Sequence, residues 1–227
     1  MKFPRPLWQD LAIILGLTTL ISLPLWLAGG DAAIAHLVHQ PQSDMAWWLR
    51  QYSQLPILVI SLAALGFLLV PPLRKKHPTL RLLAVIWLLS LLIGGGLLNQ
   101  VLIQDLVDRA RPRESVLAAL TGTEAALGGH SFPSGHAVIG FMLAVPFFVY
   151  RTLRPKLALG FLIAGTLAGL TIGYARMALG AHFLTDVLWA GAILFASAAV
   201  FVRIPLLRKD IPTWATAGFI ALALFSL

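Results

Sequence analysis

Long runs of uncharged, apolar residues limit this chain to a membrane architecture. Four such runs are close to the roughly 20 residues that a membrane-spanning helix needs: Leu11–Gly30, Gln51–Leu73, Leu82–Gln104 and Leu157–Ala175. Three weaker runs are Ser134–Tyr150, Phe183–Val202 and Ile211–Leu227. Because backbone polar groups in lipid must be satisfied within the segment, such runs form helices. We therefore predict an all-α, polytopic membrane helix bundle with six core transmembrane helices and a possible seventh, C-terminal segment.

The composition agrees with one membrane domain and excludes other classes. Of the 227 residues, 59% are hydrophobic and 11% are charged, which rules out a water-soluble fold. No hydrophilic stretch is long enough for a separate soluble domain, so we predict a single domain over residues 1–227. The first apolar run is too long for a typical signal peptide and is interpreted as a span. The absence of cysteine excludes disulfides and thiolate ligands.

The positive charge follows the predicted topology. Most of the 17 Lys and Arg residues lie in alternate loops: Lys2 and Arg5; Arg74, Lys75, Lys76 and Arg81; Arg151, Arg154 and Lys156; Arg203, Arg208 and Lys209. The positive-inside rule places these loops in the cytoplasm. We therefore predict a multi-pass protein of the cell inner (cytoplasmic) membrane, and attribute the net charge of +8 to topology rather than to nucleic-acid binding. The outer segment 31–50 is interpreted as an interfacial connector.

Three polar clusters interrupt the apolar pattern between residues 99 and 190. They are RARPRE at 109–114, PSGH at 133–136 and YARMALGAHFLTDVLWA at 174–190. The second and third clusters are separated by about forty positions, which is one helix across the membrane and one helix back. All three clusters therefore meet at the face opposite the basic loops, which we predict to be the periplasmic or external face. There they are expected to form a cationic pocket.

The residue types in this pocket suit phosphate chemistry. Arg111 and Arg176 are planar forks that match phosphate oxygens. Ser134, the Gly135 amide and the beginning of a helix add hydrogen-bond donors and a favourable dipole. Gly135 also permits the backbone to approach an anion closely. We expect these four residues to bind a phosphoryl group.

Two histidines complete the predicted chemistry. His182 and Asp186 are four residues apart and share one face of a helix, so the carboxylate can orient the imidazole. His182 can then attack phosphorus as a nucleophile, and His136 can protonate the leaving group as a general acid. The reaction would need neither a metal nor another cofactor, because the arginines stabilise the developing charge.

Two other interpretations of these residues were weighed. A structural His–Asp pair beside a snorkelling Arg176 explains the last cluster about as well when that cluster is taken alone. A zinc site built from His130, His136, His182 and Asp186 also fits the residue types. We favour an anion, because the flanking arginines repel a cation, and so predict no metal.

The combined motifs resemble those of the type 2 phosphatidic acid phosphatase superfamily, a group of membrane lipid phosphatases. The family pattern is K-x6-RP, then PSGH, then SR-x5-H-x3-D. Here Arg111 and Pro112 match the end of the first motif, residues 133–136 match the second, and Arg176, His182 and Asp186 match the third with the correct spacing. The resemblance implies the same nucleophile, general acid and phosphate ligands as the residue chemistry does.

The sequence departs from the family pattern at two positions. Gln104 stands where the family has lysine, and Ala175 stands where the third motif has serine. Gln104 lies two helical turns before Arg111 on the same face and can still donate a hydrogen bond to substrate. The missing positive charge would then come from Arg109 or Arg113.

The predicted function is that of a metal-independent lipid phosphatase. The resemblance implies a membrane lipid phosphate or pyrophosphate as substrate: undecaprenyl pyrophosphate, phosphatidylglycerol phosphate, phosphatidic acid or lipid A 1-phosphate. Its hydrolysis would pass through a phosphohistidine. The alternatives are a lipid phosphotransferase, which passes the phosphoryl group to another lipid, and a non-enzymatic lipid or anion transporter. The expected partners are the lipid bilayer and its phosphorylated lipids.

Overall fold

A computed structural model describes residues 5–114 and 130–209 of the chain. Within these residues, five helices are long and apolar enough to cross a membrane: Leu7–Leu27, Asp44–Leu69, Pro78–Glu114, Pro155–Ala178 and Leu184–Phe201. Gly135–Tyr150 is a shorter apolar helix, and the described residues contain no strand. The predicted all-α membrane bundle is confirmed, with one of its six spans shorter than the others. The possible seventh segment, Ile211–Leu227, lies outside the described residues.

The described helical segments are labelled here in chain order. They are α1 (Leu7–Leu27), α2 (Gly30–Val38), α3 (Asp44–Tyr52), α4 (Gln54–Leu69), α5 (Pro71–Lys76), α6 (Pro78–Leu89), a π-helix (Ser90–Ile103), α7 (Gln104–Val107), α8 (Gly135–Phe141), a 3₁₀ turn (Met142–Ala144), α9 (Val145–Tyr150), α10 (Pro155–Ala178), α11 (Leu184–Phe201) and a second 3₁₀ turn (Pro205–Arg208). The short helix α2 connects the first two spans, α3 forms the first part of the second span, and the chain from α6 onward forms most of the buried core.

The middle of the third span lies close to two neighbouring helices. A Cβ atom at Gly94 would lie 3.1 Å from Cβ of Ser197 on α11, and one at Gly95 would lie 2.9 Å from Cγ1 of Val138 on α8. Small residues permit such approach between helices in a membrane. The triple glycine at 94–96 therefore brings helices close together and places the third span beside both α8 and α11.

The helix of the third span ends before the RARPRE cluster. Its last segment, α7, ends at Val107, and Asp108 follows with a φ of +42°. A residue in this left-handed region closes a helix because its amide turns back toward the last carbonyl groups, and aspartate tolerates the conformation better than most residues. The chain then turns toward α11, which brings Arg109 into the protein interior.

The short central span packs backbone against backbone with α10. A Cβ atom at Gly165 would lie 2.2 Å from the backbone nitrogen of Ala144, and one at Gly140 would lie 2.5 Å from the backbone carbon of Ala168. Glycine is therefore required at these contacts. The close packing fixes the beginning of α8, with its PSGH motif, relative to the end of α10, with Arg176.

Basic residues from separate predicted loops meet at one end of the bundle. Asp10 of α1 accepts hydrogen bonds from Arg151, at 2.7 Å, and from Arg203. Arg203 also donates to the backbone carbonyl of Arg5 at 3.1 Å, and Arg81 donates to a carbonyl in the final 3₁₀ turn. The sequence predicted that these loops share one end, and the contacts confirm it.

Candidate active site

His182 lies in the turn between α10 and α11 and is buried. Its Nδ1 atom lies 2.6 Å from the backbone carbonyl oxygen of Ser131. Because a carbonyl oxygen only accepts hydrogen bonds, Nδ1 is the protonated nitrogen, and in the neutral imidazole Nε2 then has the lone pair. The local fold therefore holds the tautomer that a nucleophilic histidine needs.

Asp186 is held in place by contacts other than the His182 contact that its sequence spacing predicted. Its carboxylate is fully buried near the beginning of α11 and accepts hydrogen bonds from the backbone nitrogen of Phe183, at 2.7 Å, and from the hydroxyl of Ser131. It lies 3.8 Å from Nδ1 of His182. The expected direct orientation of the imidazole by the carboxylate is therefore corrected: the Ser131 carbonyl orients the ring, and Asp186 acts on it by charge. The reason is that His182 precedes the helix instead of sharing a helical face with Asp186.

Arg109 is partly buried, and its guanidinium is held by acceptors within the protein. Its guanidinium donates to Asp186 at 2.6 Å, to the Thr185 hydroxyl at 2.8 Å and to Asp31 at 2.9 Å. It also lies 3.9 Å from the centre of the Phe183 ring, which favours a cation. Arg109 was a candidate to replace the positive charge of the missing lysine. These contacts show that its charge is instead paired with the carboxylates of Asp186 and Asp31.

The PSGH motif begins α8 beside the His182 turn. The Ser134 hydroxyl accepts a hydrogen bond from the backbone nitrogen of Ala137 at 3.4 Å, so Ser134 is the N-cap of α8. The backbone nitrogen of Ser134 donates to the backbone carbonyl of Asp186 at 3.1 Å. This bond joins the second and third sequence motifs, so residues more than fifty positions apart lie at one site.

His136 faces the same site from α8. It interacts electrostatically with His182, and its Nε2 atom lies 3.4 Å from the side-chain nitrogen of Gln54 at the beginning of α4. Two imidazoles therefore lie near one another, as a nucleophile and a general acid must. Gln54 was not identified from the sequence.

Arg176 lies in the last turn of α10 and is buried. Its Nε atom has no hydrogen-bond partner within the described part of the chain. The positive charges of Arg50, Arg111 and Arg113 act on it. A buried guanidinium beside three further cations has a strong electrostatic preference for an anion.

Gln104 does not lie where the helical face rule placed it. Its side-chain nitrogen donates to the backbone carbonyl of His130, whereas Gln100 approaches PSGH: a Cβ atom at Gly135 would lie 2.9 Å from the amide nitrogen of Gln100. The difference arises because the rule assumed one continuous helix from Gln104 to Arg111, whereas α7 ends at Val107 and Asp108 turns the chain. Gln100 is therefore the glutamine beside the predicted phosphate-binding turn.

Two of the residues missed in the sequence had recognisable signals. Ser131 stands two positions before PSGH, where a turn must reach the beginning of α8. Asp31 is an acid at the beginning of an otherwise apolar helix, and a buried carboxylate requires a cationic partner such as Arg109.

The zinc alternative is not supported within residues 5–114 and 130–209, where no group of three or more His, Asp or Glu side chains is assembled for a metal.

The fold and the site together define a helical membrane protein with a buried His–Asp–Arg cluster beside an arginine-rich surface. The model of the PAP2 superfamily matches residues 83–210, and the chain belongs to this superfamily, the type 2 phosphatidic acid phosphatases. Neither a curated protein nor a solved structure matches the chain. Members of the superfamily are phosphatases, which supports an activity of this chain on phosphate esters. The match begins within α6, so α1 to α5 lie outside it.

Proposed function

We propose that this protein is a metal-independent phosphatase of membrane lipid phosphates or pyrophosphates, with a phosphohistidine intermediate on His182. The observation on which the proposal depends is the 2.6 Å contact between Nδ1 of His182 and the Ser131 carbonyl. In the neutral imidazole, this contact places the proton on Nδ1 and leaves the lone pair on Nε2, as attack on phosphorus requires. The proposed site faces the exterior of the inner membrane, because the basic loops lie at the opposite end of the bundle.

The first step transfers the phosphoryl group to the protein. Nε2 of His182 attacks phosphorus and forms an N–P bond, while the P–O bond to the lipid breaks and its electron pair leaves with the oxygen. His136 gives a proton to that oxygen. Arg111 and Arg176, with the hydroxyl of Ser134 and the amide of Gly135, bind the equatorial oxygens.

The second step releases phosphate. Water attacks the phosphorus of the phosphohistidine, and neutral His136 accepts the proton of that water. The N–P bond breaks and its electron pair returns to Nε2 of His182. The product is inorganic phosphate, and both histidines regain their initial states.

A lipid substrate is supported by the aromatic residues next to the site. Trp47, Trp48 and Tyr52 are exposed on α3, and Gln54, which approaches His136, follows two residues after Tyr52. Exposed tryptophan and tyrosine mark the level of lipid headgroups. A site at this depth reaches a headgroup phosphate while the acyl or prenyl chain stays in the bilayer. The candidates are undecaprenyl pyrophosphate, phosphatidylglycerol phosphate, phosphatidic acid and lipid A 1-phosphate.

Phosphate release from these four purified lipids, with the protein in detergent micelles, tests the proposal. We expect release from at least one lipid, inhibition by vanadate, and no effect of a metal chelator. His182→Ala should abolish release, whereas His77→Ala, which removes an exposed histidine before α6, should leave it unchanged. Phosphate release by His182→Ala at the wild-type rate would falsify the proposed nucleophile.

A phosphotransferase is the second candidate, because Gln104 and Ala175 replace two residues of the hydrolase pattern. In this reaction a second lipid phosphate, instead of water, attacks the phosphohistidine. A ³²P-labelled donor lipid distinguishes the two: label in a lipid product indicates transfer, and label in free phosphate alone indicates hydrolysis. Movement of intact lipid without any bond cleavage would instead support the transporter.

A further inference from the structure

Asp31 begins the outer helix α2, outside the 83–210 region that matches the family, yet it reaches the buried polar cluster. Its carboxylate is 3% exposed and lies 2.9 Å from Nη2 of Arg109. It also accepts hydrogen bonds from the backbone nitrogen of Thr185, at 3.2 Å, and from the Thr185 hydroxyl. Because Thr185 directly precedes Asp186, Asp31 fixes α2 to the part of α11 that bears the second carboxylate.

Arg109 lies between two carboxylates. Its Nη1 atom is 2.6 Å from Asp186 and its Nη2 atom is 2.9 Å from Asp31. One guanidinium and two carboxylates leave the cluster with one net negative charge. An unbalanced buried charge is costly, so the cluster stabilises a positive charge next to it. His182, whose Nδ1 is 3.8 Å from Asp186, is in that position.

We propose that Asp31 is a positioning residue for the reaction: by sharing Arg109 with Asp186, it preserves the negative charge that stabilises His182 when the imidazole becomes cationic. The inference rests on the proposed function, in which His182 gains a positive charge as the N–P bond forms. Without Asp31, Arg109 would neutralise Asp186, and the cluster would have no net negative charge with which to stabilise the cationic imidazole of His182.

Other charged groups also face His182 and are the same in every variant of Asp31. His136 on α8 interacts with it electrostatically, and Arg50 on α3 and Arg176 on α10 act on His136 in turn. Their influence cancels when variants at position 31 are compared with the wild type. A difference between those variants therefore reports the charge of Asp31.

Asp31→Asn tests the inference, because it keeps the shape of the side chain and removes its charge. With ³²P-labelled phosphatidic acid in micelles, we expect the acidic limb of the kcat/KM profile to move to lower pH by about one unit. Rapid-quench formation of phosphohistidine should slow about tenfold, with KM changed by less than about twofold. Asp31→Glu, which retains the charge one methylene further out, should lie between this variant and the wild type. Asp44→Asn, which removes an exposed carboxylate from α3, should leave the profile unchanged.

Rates are expressed per site that forms phosphohistidine, so partial misfolding of a variant does not alter the comparison. If Asp31→Asn does not fold, Asp31→Glu must still move the limb to lower pH by a smaller amount. If the acidic limb of the kcat/KM profile is unchanged in the variant that folds, Asp31 does not have the proposed role, whatever happens to the rate. This outcome would not affect the assignment of His182 as the nucleophile. Wild-type phosphate release by His182→Ala overturns the proposed function itself.

Discussion

Ser131 contacts His182 through its backbone and Asp186 through its side chain. Its carbonyl oxygen accepts from Nδ1 of His182 at 2.6 Å, and its hydroxyl donates to the Asp186 carboxylate. The serine therefore connects the proposed nucleophile to the buried charge behind it. Because substitution of the side chain leaves the carbonyl in place, the two contacts can be separated by experiment.

Ser131→Ala should lower kcat about tenfold while KM stays nearly constant. The substitution removes one hydrogen bond to a buried carboxylate, an interaction worth about 1–3 kcal/mol, but it does not remove the carbonyl that holds the tautomer of His182. Steady-state phosphate release checks this. Thr171→Ala, which removes an exposed hydroxyl from α10, is the control. A wild-type kcat in Ser131→Ala would show that the hydroxyl has no part in positioning Asp186.

Arg176→Lys should reduce kcat/KM about 100-fold, which is a common loss when one donor to a developing oxyanion is removed. Lysine retains the charge but not the bidentate fork. Since the Nε atom of Arg176 has no hydrogen-bond partner among the described residues, the thermal midpoint should change little. Activity and thermal unfolding in detergent are measured together, with Arg154→Lys in an exposed turn as control. Equal losses of activity and stability would point to a structural arginine instead.

Gly165→Ala should sharply reduce the yield and thermal midpoint of the folded protein. The added Cβ atom would lie 2.2 Å from the backbone nitrogen of Ala144, so α10 would have to move away from the central span. Gly160→Ala is a matched control in the same helix, because a Cβ atom there meets nothing within 4 Å. Size-exclusion chromatography after heating measures the yield and the thermal midpoint of each variant. Similar midpoints for the two variants would contradict the backbone-to-backbone packing.

Much of the architecture was predictable, because it depends on local properties. Apolar runs of spanning length predicted the helices, and alternation of basic loops predicted which segments share an end, as the contacts of Asp10 with Arg151 and Arg203 confirm. The membership in the PAP2 superfamily that the motifs implied is also confirmed. The catalytic roles of His182 and His136 remain proposals.

The partners within the site were less predictable. The face rule for Gln104 was wrong because the helix ends at Val107, before Arg111, and Gln100 approaches Gly135 instead. The segment around Asp31 was interpreted as a connector, but its carboxylate is buried against Arg109. In each case the deciding quantity was the direction of a side chain after packing.

The sequence by itself determined the membrane bundle, the basic loops that share one end, and the chemical types at the other, since hydropathy, charge and spacing along a chain are sufficient for these. Only the tertiary structure decided that Ser131 orients His182, that Arg109 is shared by two acids, and that an N-terminal helix supplies one of them. Such contacts join residues distant in sequence. Their geometry depends on how whole helices pack, which no local pattern encodes.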